Sequence, residues 1–319
     1  MNIYSSPEFL EAFNKAYFPD IKLHLEDFLL QDKIWRLPTL PSGEPITKWQ
    51  FIDFFEPVSP AQVKSWDVKK VNHITRVCDG IVTVQEWFEQ NLFIPYTASP
   101  LIKWSDFNTW DSFWHHLKQK DTKLCRDSER RKRKLENDIG SVNFRWQDTR
   151  PEAFDFCIKF KSLQFRESHQ LFQNIKNLLF FQELAKSGLL VVSSLSVNDQ
   201  LIAVDFGAIW NHRFYSWISA YDQKYSIYAP GRLLMHMTMA SSYQQGHKEF
   251  DFLLGGETYK WNYATHSRLI TELGGVGSYI KSSVKKQPLY IYGVKQLKQV
   301  KRELRNIPER MKLSIKSSK

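Results

Sequence analysis

The 319-residue sequence predicts an α+β fold, a mixed sheet with flanking helices. Three observations predict it. After Gly188, apolar residues alternate at period two through LLVVSSLSV, LIAVDFGAIW and RFYSWISAY, and the segments are parted by Asn198-Asp199 and Asn211-His212. Alternation interrupted by two-residue turns of this kind is the pattern of an antiparallel meander. Pro230-Gly231 then breaks regular structure, and Leu233, Leu234, Met237 and Ala240 recur at helical spacing before Gly246. Residues 250–254 form a short apolar run closed by Gly255-Gly256, which suits a buried strand ending in a sharp turn.

The other elements follow in chain order. Ser6 caps a helix running to Ala16, with Pro7 in the first turn and Glu8 at its positive end. Pro38, Pro41, Gly43 and Pro45 mark a loop. ITRVC and IVTVQEWF read as strands, and NLFIPYTASPLI as a strand broken by Pro95 and Pro100, so the N-terminal hundred residues mix α and β. Asp106 caps a helix carrying Trp110, Phe113, Trp114 and Leu117. The basic run 125–138 is a helix capped by Asp127 or Ser128, with Glu129/Arg133 and Lys132/Glu136 four residues apart. It reads either as a solvated helix face or as a basic lining for phosphates or a carboxylate-rich acceptor. Residues 142–146 make a strand, Pro151 starts a helix to about Arg166, and a second helix spans roughly 171–186, ended by Gly188. His169 between them reads as a loop or packing histidine, with a catalytic base as the alternative. SRLITELGG is the last strand.

A 42% hydrophobic, 15% aromatic composition is globular. Cys78, Cys125 and Cys157 are odd in number, widely spaced and in no CxxC pattern. That argues against a zinc site or disulfide framework and for a reducing compartment. Neither a leader pattern nor an apolar run of about 20 residues is present, and the expectation is a soluble, cytoplasmic protein. The net charge of +10 is carried by the tail, where 281–319 holds twelve Lys/Arg against two acids. The rest of the chain balances, so a whole-surface nucleic-acid reading fails. In the tail, Val294, Leu297, Val300, Leu304 and Ile307 make an apolar stripe among basic residues. This basic amphipathic helix either docks on the domain or rests on anionic lipid at the inner leaflet.

Tyr225-x-x-Tyr228-x-Pro230-Gly231-x-x-Leu234, a helix, then Phe250-Asp251-Phe252-Leu253-x-Gly255-x-Glu257-x-Tyr259-Lys260 resembles the BioF2-like (CelD/BcsL-type) branch of the GNAT acyltransferases. That branch is similar in turn to the FemAB peptidyltransferases. The resemblance covers roughly residues 125 to 275. It implies a GNAT-like fold of two halves in a FemAB-like arrangement: a degenerate N-terminal half over 1–120, an acyltransferase domain over 121–280, and the tail 281–319. It also implies transfer from acetyl-CoA or another acyl-CoA, without a metal, to an amine or hydroxyl of a sugar, peptide or envelope precursor. GNAT enzymes usually carry a Q/R-x-x-G-x-G/A loop where this chain has the single Gly231. That departure keeps two alternatives open, aminoacyl-tRNA as donor (tRNA being the one nucleic acid that fits) and a catalytically silent scaffold.

Four groups of residues carry the chemistry. Pro230, Gly231, Arg232 and Leu233 open a helix whose unpaired N–H groups and dipole attract a donor's phosphates, unless they form an ordinary Pro-Gly turn. Asp251, inside an apolar strand, is either a structural acid tied to a partner or a general base with its pKa raised by burial. Glu257, Tyr259 and Lys260 follow the glycine turn at a strand end, where scaffolds place reactive groups. Lys260 there offers positive charge to an oxyanion, a role the FemAB resemblance also implies; otherwise it is a surface lysine above Tyr259. Tyr221, Tyr228, Tyr259 and Arg166 complete the set as acceptor-binding candidates. With no HExxH, GxSxG or P-loop in the sequence, direct transfer in a ternary complex is expected.

Overall fold

The computed structural model describes residues 2–64, 67–91, 96–164 and 171–274. Arg166, His169 and the basic tail lie outside the described residues. The strands, in order, are β1 (His24–Leu30), β2 (Lys33–Thr39), β3 (Pro57–Val58), β4 (Val68–Lys70), β5 (His73–Thr83), β6 (Thr97–Lys103), β7 (Val142–Arg145), β8 (Leu190–Val197), β9 (Gln200–Trp210), β10 (Arg213–Tyr221), β11 (Glu249–Asp251) and β12 (His266–Gly274). They form a four-stranded sheet, β3-β2-β1-β4, and an eight-stranded sheet, β5-β12-β6-β11-β10-β9-β8-β7. The large sheet is antiparallel except where β10 runs parallel to β11. Two of its strands, β5 and β6, come from the first 120 residues, so both ends of the chain build one sheet.

The meander forms as its pattern dictates. Asn198-Asp199 and Asn211-His212 all sit at positive φ, which twists each two-residue turn to match its strands. On the sheet, the helix Pro7–Tyr17 packs against Ile175–Lys186, and Phe9, Phe13, Phe180 and Phe181 are wholly buried between them and the strands. Ser6 caps the first helix, its side chain accepting from the Phe9 N–H. A second buried layer is ionic. Arg213 Nη1 lies 2.8 Å from Glu56 Oε1, Arg213 Nε 2.8 Å from Glu249 Oε2, and Arg268 reaches Glu56, Glu249 and Asp251.

Several local expectations are corrected. Residues 84–91 are a helix, not strand, because Thr83 and Glu86 close a reciprocal cap: the Thr83 N–H donates to Glu86 Oε2 at 2.8 Å and the Glu86 N–H to Thr83 Oγ1 at 3.2 Å. Pro100 does not break β6. Its carbonyl accepts from the Phe252 N–H, so the missing N–H points to an edge where β11 has already ended. The helix Trp110–Lys120 is capped by Thr109 in a box with Ser112, while Asp106 closes a single preceding turn. The basic helix starts nearly two turns early, at Thr122 under an Asp121 cap, which frees Asp127 for charge pairing. Lys132 and Glu136 do pair, at 3.8 Å, but Glu129 turns to Lys118 at 3.1 Å. The run 250–254 is strand only to Asp251, since Leu253 adopts φ +60° and turns the chain away.

Candidate active site

β10 and β11 pair over three residues, Arg213 to Tyr215 against Glu249 to Asp251, and then part. A bulge at 216–218 bends β10 as it leaves. Between the diverging strands lies a cleft of about 770 Å³, walled by residues 216–219 and Tyr221 of β10, by 252–254 beyond β11, and by Gly231, Arg232 and Met235 of the Pro230–Gln244 helix. Helix Pro151–Gln164 contributes Lys161 and Gln164, the N-terminal region contributes Phe51 and Asp53, and the short helix Thr258–Tyr263 closes one side with Tyr259, Lys260 and Tyr263.

Backbone groups that β11 abandons must find other partners. Lys161 Nζ donates to the Ser219 carbonyl at 3.2 Å. Gln164, in the amide orientation that satisfies both groups, donates to the Ser219 carbonyl at 3.3 Å and accepts from the Tyr221 N–H at 3.0 Å. The open edge of β10 is thus held by side chains in place of a strand.

Lys260 is 5% exposed, although it sits on the cleft wall. Its Nζ donates to the Leu254 carbonyl at 2.9 Å and lies 3.0 Å from Glu257 Oε2. An ammonium has three N–H donors, so one is left for a ligand. Glu257 lines the same wall and is mostly exposed; Tyr259 is 49% exposed, with burial and Glu257 pushing its hydroxyl pKa up. Tyr221 faces Gly231, where a Cβ would come within 3.3 Å of its ring.

The helix start is less open than the sequence suggests. Ala229 takes a left-handed conformation before Pro230, and its carbonyl accepts from both the Arg232 and the Leu233 N–H groups. Of the N–H groups expected to hold phosphate, those two are already engaged. Arg232 lines the cleft, and its guanidinium pairs with Asp127. Leu233 is buried and faces a separate 240 Å³ cavity behind the helix, beside Trp114 and His236. His236 meets the Tyr263 hydroxyl at 2.8 Å, and burial, helped by Arg232, pushes its imidazole down to about 3, so it stays neutral.

Four candidates, Pro230, Leu233, Tyr228 and Asp251, are not among the residues that line the cleft. Asp251 is wholly buried and is not among the cleft's lining residues. Burial raises its pKa, Arg268 and Arg213 oppose that rise, and Oδ1 accepts from the Leu253 N–H at 2.9 Å. Through Oδ1 it fixes the turn from which the cleft loop departs. Tyr228 is also buried away from the cleft, donating to Asp138 Oδ2 at 3.0 Å and pinning the end of the basic helix.

Two carboxylates that the sequence reading passed over do line the cleft. Asp53 comes from the N-terminal region; burial raises it, while Arg76 and the Leu254 backbone N–H counter the rise. Asp205, midway along β9, is 5% exposed, and burial carries it to about 7 against the pull of Lys161. Asp205 carried the same signal as Asp251, a carboxylate inside an apolar strand.

Beside the cleft a basic groove of about 660 Å³ runs along Lys123, Arg126, Asp127 and Arg130, sharing Leu124 and Arg232 with it. Asp127 accepts from Arg130 at 2.6 Å, from Arg131 at 2.7 Å and from Arg232, and these arginines hold its pKa well below the usual range. Among the described residues no three His, Cys, Asp or Glu side chains gather as a metal site would, and no helix is long and apolar enough to cross a membrane.

No curated protein matches the sequence. Among solved structures, the fold is similar to that of FemX at 8% identity, with a TM-score of 0.53 over 90% of this chain and 95% of that one. Weaker likenesses are to L-PGS from Bacillus licheniformis (9% identity, TM-score 0.43, 90% of this chain and 97% of that one) and to a conserved protein of unknown function from Bacteroides thetaiotaomicron VPI-5482 (12%, 0.47, 85% and 91%). The acetyltransferase (GNAT) domain family model matches residues 123–261, the stretch that builds β7 to β11 and most of the cleft wall. Residues 123–261 thus match an acetyltransferase domain of GNAT type, within a fold that over 90% of this chain is similar to that of FemX.

Proposed function

We propose that this chain transfers an acyl group directly from an acyl-CoA to an acceptor amine or hydroxyl in the cleft between β10 and β11. The observation that carries the reading is the parting of these two parallel strands after three paired residues. It leaves a strand edge and the 252–257 segment as facing walls, with Lys260 between Leu254 and Glu257. The BioF2-like resemblance supports acyl-CoA as donor and a sugar, peptide or envelope precursor as acceptor. When bound, the donor supplies an acyl thioester.

The chain's own residues divide the remaining work. Gly231 and Tyr221 shape the wall for a slender ligand, and the β10 edge at Ser219 and Tyr221 offers amide-type hydrogen bonds. Arg232 adds positive charge where the cleft meets the basic groove. The remaining N–H of Lys260 faces the charge that develops on an acyl oxygen during attack. The three cysteines are buried with raised pKa values, Cys78 up to about 11, and none lines the cleft, which favours direct transfer over a cysteine-linked intermediate. A thermal-shift panel of CoA thioesters tests the donor: a thioester at about 100 times its Kd should add about 2.7 kcal/mol of stability. No shift with any thioester rejects acyl-CoA.

A second donor, aminoacyl-tRNA, is favoured by the basic groove that opens off the cleft at Leu124 and Arg232. It requires tRNA binding that weakens with salt and with Arg126→Gln/Arg130→Gln. Binding that ignores both sets this donor aside.

A further inference from the structure

Asp205 is a buried carboxylate on the cleft wall to which the transfer reading assigns no task. Its cross-strand partners are Ser193 on β8 and Ser219 on β10, and Ser219 lines the cleft. The charged and titratable groups facing it are Lys161 and Cys157 from helix Pro151–Gln164 and Tyr259 from the segment after β11; Glu257 acts in turn on Lys161 and Tyr259. Asp251, the other carboxylate inside an apolar strand, is neutralised by Arg268 and removed from the cleft. Asp205 has the opposite placement: buried, yet on the wall with Lys161, Ser219 and Tyr259.

We propose that the Asp205 carboxylate is the proton acceptor of the transfer, and that the acceptor is accordingly a primary amine bound between Lys161 and Tyr259. In the step, a bond forms between the amine nitrogen and the acyl carbon, and the bond from that carbon to the donor's sulfur breaks. The proton lost by the nitrogen passes to Asp205, and the departing thiolate takes a proton from solvent. An attacking amine becomes a strong acid as its nitrogen gains positive charge, so a carboxylate suffices to accept its proton. A hydroxyl must be deprotonated earlier, by a stronger base. Burial, which carries Asp205 to about 7, keeps it a competent base at neutral pH, and Lys161 limits the rise.

The assignment rests on the acyl-transfer reading, and its test separates the two. Acetyl-CoA serves as donor and glycinamide as the probe amine, assayed from about pH 5 to 9 with wild type, Asp205→Asn and Asp205→Glu, each shown to be folded by its melting curve. The wild-type rate should climb to a plateau near neutrality. Asp205→Asn should lose about 10²-fold in kcat and the whole ascending limb, with KM and donor affinity little changed, and Asp205→Glu should restore a displaced limb. An Asn variant with wild-type kcat and the same limb overturns the proposal. If wild type transfers to no amine, the transfer reading fails, and the carboxyl ¹³C signal of Asp205, identified by its loss in Asp205→Asn, decides alone. A titration near neutrality that glycinamide shifts supports the assignment; an ordinary carboxylate titration, or indifference to glycinamide, overturns it.

Discussion

Arg268 Nη1 and Asp251 Oδ2 lie 2.9 Å apart, and neither side chain has any exposure. The two atoms meet by charge, without the alignment of a hydrogen bond. Arg268 also reaches Glu249 and Glu56, so one guanidinium ties β12 to β11 and to the segment before β3. Removing one partner of a buried pair leaves the other uncompensated, at a cost of about 3–5 kcal/mol. Arg268→Met should therefore lower the unfolding free energy by about that much in a denaturant titration, and Arg268→Met/Asp251→Asn by clearly less than the sum of the single changes. A single variant within about 0.5 kcal/mol of wild type would mean the network carries no stability.

Lys260→Met keeps most of the side-chain volume and removes the charge beside Leu254 and Glu257. The expected outcome is a fall in kcat of about 10²-fold with donor affinity nearly unchanged, because the interaction strengthens only as the acyl oxygen gains charge. Steady-state kinetics paired with donor titration measures both. Near-normal turnover takes Lys260 out of the mechanism.

At Gly231 a Cβ would approach Tyr221 Cδ1 to 3.3 Å and Ser219 Oγ to 3.9 Å. Alanine is accommodated by a small shift of the ring, whereas a β-branched side chain drives Tyr221 into the cleft. Gly231→Val should weaken acetyl-CoA binding by about tenfold or more, while Gly231→Ala stays close to wild type. Calorimetric titration alongside a melting curve separates lost binding from lost folding, and unchanged affinity in a folded Val variant places the donor elsewhere.

Asp205 also predicts a pH-dependent stability. Its folded pKa, about 7, lies above that of an unfolded aspartate. The stabilisation tied to its proton is fully present below about pH 4 and is lost as pH rises through 7. Asp205→Asn cannot lose it, so the Tm of the variant relative to wild type should be higher at about pH 8 than at about pH 5. A pH-independent Tm difference would show that Asp205 titrates as it does in the unfolded chain.

The meander, the Pro-Gly helix and the cleft loop were legible because each rests on local signals: period-two alternation, Asn-led turns, and glycines at the strand end. Lys260 and Tyr259 could be named for the same reason. What the sequence hid was long-range. Nothing local tells Asp251 from Asp205; Arg268, seventeen residues beyond Asp251 in sequence, pairs with the first away from the cleft. Tyr228 belongs to a tyrosine-rich motif, yet its partner Asp138 is ninety residues away. Asp53 enters the cleft from the N-terminal region, which the motifs did not reach. The helix at 84–91 was a different failure, a local Thr83/Glu86 cap outweighed by an apolar run.

The central claim is that the donor binds where β10 and β11 part, and hydrogen exchange with and without acetyl-CoA tests it most directly. Slower exchange is predicted at the amides of 216–221, at Gly231 and through 252–257, while β1 and β2, none of whose residues line the cleft, exchange as before. Saturating acetyl-CoA that slows none of these amides, or slows only amides elsewhere, would contradict it.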